Sequence, residues 1–329
     1  MAADHGPAAA PLRCGPVPRV GSRPGPFPAC AGPCPRRAPP LTRVCLSGPR
    51  PGLCGAGGRE PGAAPRRAIG HGRVAVELDS SAGVAVMKME NLPVNSLSLD
   101  FLTEFLISLE KLENDRGCRG VILTSGAPKI FSAGLDIMEM YGKSTEHYAE
   151  FWKAVQEMWL RLYQSNMVTI AAINGSSPAG GCLMAMCCDY RIMAENPKYS
   201  IGLNETQLGI VAPFWFKDTM VNTIGNRATE RSLELGLLYS PPEAHKIGLV
   251  DQLVPEEKIQ STAAAVMSQW LAIPDHARQI TKSMMRKPTV DRLLAHRESD
   301  IQNFVSFISK DAIQKSLHMY MEMLKQRRG

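Results

Sequence analysis

The sequence predicts an α/β domain followed by a helical subdomain at its C-terminal end, and three observations carry that reading. From residue 74 onward, short β-branched or apolar runs alternate with segments of helical period. Beyond residue 200 the pattern becomes almost wholly helical. Neither an internal repeat nor a sustained heptad interrupts the alternation, which argues against a solenoid or a coiled coil.

The first segment belongs to neither part. Residues 1–73 hold 15 Pro and 13 Gly, with 11 Arg, no Lys and only two acids, Asp4 and Glu60. Such a segment cannot bury enough apolar surface to offset its ordering entropy, so a disordered tail is expected. Being Arg-rich and acid-poor, it is similar to an organelle transit sequence. It departs from that pattern in being Pro-rich and Ser-poor and in lacking an amphipathic helix, and a plain disordered tail is the alternative.

The remaining elements follow in order. Val74–Leu78 and Val84–Met89 are expected to form a hairpin around Asp79–Gly83. A helix starts near Ser98, with Leu102, Phe105, Leu106, Leu109 and Leu112 along one face. Strands are expected at Gly120–Thr124, Met167–Ile173 and Tyr190–Met193, and helices at Tyr148–Gln164 and Cys182–Cys188. Ser240-Pro241-Pro242-Glu243 has the form of a capping box with Pro at the first helical position. Gly248 ends that helix, Leu249–Asp251 reads as a very short strand, and Pro255-Glu256-Glu257 opens another helix. Residues 275–286, 291–308 and 310–326 read as three more helices. The expected organisation is a tail over 1–73, an α/β core over 74–270 and a helical subdomain over 271–329.

Charge and cysteine separate along the same boundary. The +6 of the chain is a tail of +9 on a body of −3, so the body offers no electrostatic reason to bind nucleic acid. Five of the nine cysteines lie in the tail, and Cys118, Cys182, Cys187 and Cys188 sit in apolar segments. They read as buried small hydrophobes. A zinc site is not expected, because Cys187 and Cys188 are adjacent and no His stands at ligand spacing. No charge falls between Arg161 and Asp189, yet Asn174–Gly181 splits that stretch into pieces too short to span about 30 Å of hydrocarbon. No membrane insertion is expected.

Three turns could carry chemistry. Phe131-Ser132-Ala133-Gly134-Leu135-Asp136-Ile137 leads from a strand into a helix at Met138-Glu139-Met140, which can aim backbone N–H groups at a ligand oxygen. Its structural alternative is a plain turn with Asp136 as a cap. Pro178-Ala179-Gly180-Gly181-Cys182 again follows a strand and opens a helix, where missing Cβ atoms allow close approach of a substrate. Its alternative is tight helix packing. Together the two turns can form a two-donor oxyanion hole. The third is Gly202–Gly209, in which Glu205 is a possible acid or base. There, Asn204 with Gln207 three residues on reads equally as a capping box.

Phe-Ser-Ala-Gly-Leu-Asp, Ala-Ile-Asn-Gly…Ala-Gly-Gly-Cys, Cys-Asp-Tyr-Arg-Ile and Gly-Leu-Val-Asp-Gln-Leu-Val-Pro, in that order, resemble the crotonase (enoyl-CoA hydratase/isomerase) superfamily over roughly residues 74–329. Ile201–Ile210, with Ala212-Pro213-Phe214-Trp215 beyond, resembles its isomerase branch. The resemblance implies a ββα spiral fold, a homotrimer, a mitochondrial matrix location and an acyl-CoA thioester substrate, with CoA as part of the substrate and no separate cofactor or metal. Carried over residue by residue, Leu135 and Gly180 would donate the oxyanion N–H groups. Ala133, Gly134, Asp136 and Ile137 would border the substrate with them, and Asn204 would border the acyl group.

Hydratases of this family place one Glu three residues after the oxyanion Gly and a second at the position of Glu205. Here the first slot is Leu183. Adding water requires two acid/base groups, whereas moving a double bond requires one. The expected reaction is therefore conversion of a 3-enoyl-CoA to the trans-2-enoyl-CoA, with Glu205 desolvated by Leu183, Phe214 and Trp215 as the proton carrier. The alternatives are a hydratase-type enzyme and a non-catalytic scaffold or RNA-binding relative on the same fold.

Overall fold

The computed structural model describes residues 67–68 and 72–326. The expected transit segment and its five cysteines lie outside those residues, except at its end. Arg67–Ala68 forms a two-residue strand, β1, antiparallel to β2 (Val74–Asp79). Arg73 pairs with Asp100 at 3.1 Å. Two residues within the expected tail, Arg67 and Ala68, thus pair with the sheet, and Arg73 reaches the helix over Leu99–Glu113.

β2 returns as β3 (Val84–Met89) in the expected hairpin. Asp79 Oδ1 accepts from the Ser81 and Ala82 N–H groups at 3.0 and 3.1 Å, and Gly83 takes φ +67°, which closes the turn. A short strand, β4 (Ser96–Leu97), leads into α1 (Leu99–Glu113), capped by the Ser98 side chain on Phe101 N–H. Next come β5 (Gly120–Ser125), β6 (Gly134–Leu135) and α2 (Thr145–Gln164). They are followed by β7 (Val168–Ile173), β8 (Ser177–Pro178), α3 (Gly180–Cys187), β9 (Tyr190–Ala194) and β10 (Ile201–Gly202). The second half holds α4 (Phe214–Ile224), α5 (Asn226–Leu235), α6 (Pro241–Lys246), β11 (Gln252–Val254), α7 (Ile259–Leu271), α8 (Asp275–Ile308) and α9 (Asp311–Gln326).

The main sheet runs β1-β2-β3-β5-β7-β9-β11, and every pairing after the hairpin is parallel. All residues of β5 and β7 are buried, as their continuous apolar runs require when both sheet faces are covered. Helix α7 lies across β5, β7 and β9, and α1 packs on β2 and α2. Two small parallel pairs, β4 with β6 and β8 with β10, stand apart from this sheet. They carry the two turns singled out in the sequence.

Two expectations for the second half are corrected. The strand expected at Leu249–Asp251 forms instead at Gln252–Val254, where it finds β9 as a parallel partner. The helices expected at 275–286 and 291–308 are one element, α8, which runs through Pro288. Packing of α8 along α2 overrides the local signal of the proline. The bend falls later, at His296 (φ −121°, ψ 16°), where the His296 Nδ1 lies 2.9 Å from the Arg292 carbonyl oxygen. The 270/271 boundary falls within the last turn of α7, and α9 touches the Glu205–Leu208 turn. Among the described residues, no helix is long and apolar enough to cross a membrane.

Candidate active site

The first donor turn is a strand, not the helix start that the sequence suggested. Leu135 sits on β6, and the following residues, Ile137–Glu139, make a single 3₁₀ turn. Asp136 caps that turn: its Oδ1 accepts from Met138 N–H at 2.9 Å and its Oδ2 from the Ser96 hydroxyl at 2.8 Å. The carboxylate is thus used within the fold. Upstream, Ser132 Oγ accepts from Gly134 N–H at 3.1 Å and donates to the Asn95 carbonyl at 2.7 Å, fixing the approach to Leu135.

The second donor turn opens α3. Ala179 takes φ +49°, ψ −125°, a costly conformation for a residue with a Cβ, and its N–H is pinned to the Gly202 carbonyl at 2.8 Å. This geometry sets the first amide of α3, that of Gly180. The two turns touch. A Cβ on Gly134, whose φ is +88°, would lie 2.9 Å from the Gly180 nitrogen, and one on Gly180 would lie 3.1 Å from the Leu135 nitrogen. Glycine at both positions lets the two backbone amides stand side by side.

Glu205 opens a 3₁₀ turn, Glu205–Leu208, closed by Gly209 at φ +71°. The capping-box reading fails here. Asn204 makes no side-chain cap, and Gln207 spends its side-chain amide on the Gly236 carbonyl at 2.8 Å, while Thr206 Oγ1 donates to the Leu233 carbonyl at 2.8 Å. These bonds fasten the turn to the end of α5. Glu205 Oε2 and Asn204 Oδ1 are both buried without a hydrogen-bond partner. Burial raises the Glu205 carboxyl from 4.5 to about 7, against a smaller opposing pull from its own N–H.

A cavity of about 430 Å³ joins these pieces. Ala133, Leu135, Ile137, Asn204 and Glu205 line it, with Pro178 and Ala179; Gly134, Asp136 and Gly180 are not part of that lining. Phe214 also lines it, whereas Trp215 turns into the core and donates to Asp300 Oδ2 at 3.1 Å. Trp215 is therefore not part of the apolar wall expected around Glu205. Leu183, in the slot of the hydratase Glu, is fully buried in α3. The sequence reading missed the far wall, made by Asp300, Asn303, Phe304 and Phe307 of α8 and Tyr320 of α9. Only the helical spacing of Phe304 and Phe307 hinted at a shared face. Among the described residues, no group of three or more His, Cys, Asp or Glu could hold a metal ion, and Cys118, Cys182, Cys187 and Cys188 are buried free thiols.

The model of the family described as enoyl-CoA hydratase/isomerase matches residues 79–327. The chain is 66% identical over 272 residues to "Enoyl-CoA delta isomerase 1, mitochondrial" of Mus musculus, covering 83% of this chain and 94% of the mouse protein. It is 65% identical over 289 residues to the Homo sapiens protein of the same name, covering 84% and 96%. It also superimposes with a TM-score of 0.78 on the crystal structure of human mitochondrial delta3-delta2-enoyl-CoA isomerase, at 68% identity, covering 78% of this chain and all 100% of that one. With Glu205 on the wall of the same cavity as Leu135 and Ala179, and with matches of that extent, the chain belongs to the enoyl-CoA hydratase/isomerase family and has its crotonase fold.

Proposed function

We propose that the protein is an enoyl-CoA isomerase that moves the double bond of a 3-enoyl-CoA into the trans-2 position, with Glu205 as its single proton carrier. The observation that carries this reading is the buried Glu205 Oε2, which lacks a partner and lines the same cavity as Leu135 and Ala179. The C2 proton of a 3-enoyl thioester lies between a carbonyl and an alkene. Its removal places the electron pair in a dienolate whose charge rests on the thioester oxygen. The Leu135 and Gly180 N–H groups are the donors for that oxygen, and each preorganised donor is worth about 2.7–4 kcal/mol.

Glu205 takes the proton from C2 and returns it to C4, which leaves the double bond between C2 and C3. A carboxyl near about 7 suits both halves of this transfer. Asn204, whose Oδ1 also lacks a partner, borders the acyl group beside it. Ala133, Gly134 and Ile137 shape the path of the thioester. The chemistry is proton transfer alone and calls on no redox group or metal. Hydration would need a second acid/base group in the slot filled by Leu183.

The working form is a homotrimer in the mitochondrial matrix; the named mitochondrial relatives support the organelle. Purified protein given 3-enoyl-CoA should form trans-2-enoyl-CoA. Given trans-2-enoyl-CoA in labelled water, it should exchange carbon-bound hydrogen and form little 3-hydroxyacyl-CoA. Robust hydration in the second assay would overturn the single-carboxylate mechanism.

A further inference from the structure

The cavity that holds Glu205 shares part of its lining with a second space. Phe214, Asp300 and Asn303 line the cavity on one side and, on the other, a cleft of about 180 Å³ that also carries Arg292, His296 and Ser299. The three residues thus separate an apolar chamber from a polar cleft. Each side of this partition is held in place. The Arg292 guanidinium lies 4.4 Å over the Phe214 ring and pairs with Asp218 at 2.9 Å. Asp300 Oδ2 accepts from Trp152 Nε1 at 2.8 Å, Gln156 Nε2 at 2.8 Å and Trp215 Nε1 at 3.1 Å. One oxygen therefore ties α8 to α2 and α4, and Trp152 stacks flat on Phe304 with ring centres 3.9 Å apart. Charge-assisted bonds of this kind make the wall rigid.

We propose that this partition, with Phe214 at its centre, ends the acyl site and sets the longest straight acyl chain that the protein accepts. The inference rests on the acyl-CoA reading above and specifies its substrates as chains that stop short of Phe214. A longer chain must push Phe214 from beneath Arg292 and then pass the Asp300 carboxylate and Asn303 into a polar cleft. Methylenes beyond that point exchange water for charged and polar groups and gain nothing. Each methylene buried before it strengthens binding about fourfold.

The test measures dissociation constants of saturated acyl-CoAs, from butanoyl to hexadecanoyl in two-carbon steps, by titration calorimetry. Wild-type affinity should rise along the series and then stop rising at one length. In Phe214→Ala that break should move to longer chains by at least one step. Phe214→Leu, which keeps more packing should the alanine variant fail to fold, should move it less or leave affinity past the break higher. A break at the same length in wild type and a folded Phe214 variant, with no gain past it, would overturn the proposal. So would a wild-type series with no break. Turnover of 3-enoyl-CoA is recorded on the same preparations. Loss of the isomerase reading then appears as absent turnover with an intact binding series, and absence of all acyl-CoA binding overturns both.

Discussion

Asp189 and Glu205 are both carboxylates taken out of water, and the protein treats them in opposite ways. The Asp189 side chain, 5% exposed, receives Lys282 Nζ and Arg286 Nη2, each at 2.9 Å, and Thr169 N–H at 2.9 Å. Its partners are occupied in turn: Lys282 donates to the Met167 carbonyl at 3.2 Å, and Arg286 to the Tyr163 and Cys187 carbonyls at 2.7 and 2.9 Å. The cleft beside this cluster, about 620 Å³, is larger than the cavity at Glu205, yet the Asp189 carboxylate on its wall is paired with Lys282 and Arg286. Glu205 Oε2 has no such partner. A buried carboxylate supplied with donors joins elements together; one denied them keeps its basicity for a substrate.

The largest effect should separate the two by activity. Glu205→Gln is expected to lower turnover by about 10²–10⁴-fold with KM little changed and no fall in melting temperature. Kinetics and melting on one preparation check this, and more than a tenth of normal turnover in folded protein would break the contrast. Asp189→Asn should do the reverse. It strands two buried cations and should cost about 3–5 kcal/mol of stability in urea unfolding, while turnover per folded molecule holds.

A smaller effect follows from pH. The folded Glu205 carboxyl titrates at about 7, above its ordinary 4.5, so between those values the folded protein keeps a proton that the unfolded chain has released. Stability is therefore lost as pH rises through that window and is level above it, by at most about 3 kcal/mol. Glu205→Gln should be the more stable protein at about pH 8 and should match wild type near the ordinary carboxyl value, as melts across the range would show. Over the same window kcat/KM of the wild type should climb about tenfold per pH unit and level off above about 7. A flat profile would remove Glu205 as the ionising base. The smallest effect sharpens the border of the site. Asp136→Ala, which removes a cap, should cost about 1 kcal/mol and leave KM nearly unchanged. A KM rise of tenfold or more would return Asp136 to the substrate surface.

What the sequence made legible was local. The hairpin at Asp79–Gly83, the buried runs of β5 and β7 and the Ser98 cap all follow from neighbouring residues. The limit shows in two similar spacings. At Ser240 the Glu243 carboxylate accepts the Ser240 N–H at 3.0 Å, the return bond of a capping box, and the Ser240 hydroxyl at 2.7 Å. At Asn204 the same spacing yields no side-chain cap, because the Gln207 and Thr206 side chains bond carbonyls at the end of α5. The competing acceptors lie about thirty residues away and leave no local trace. The donors on Asp300 are more distant still: Trp215 is 85 residues away and Trp152 is 148. Glu205 was nameable through family resemblance; its lack of partners was visible only in three dimensions.

The far wall of the cavity comes from α8 and α9, the final two helices of the described chain. During synthesis the sheet and both amide turns leave the ribosome well before Phe304, Phe307 and Tyr320 do. A nascent chain can thus assemble its donors and still leave Glu205 open to water, where the carboxyl relaxes toward an ordinary acid. Only arrival of the last helices closes the cavity. Under the proposed mechanism, competence then depends on complete translation: a message cut within α8 or α9 yields a body that carries the whole sheet and lacks the far wall of the cavity.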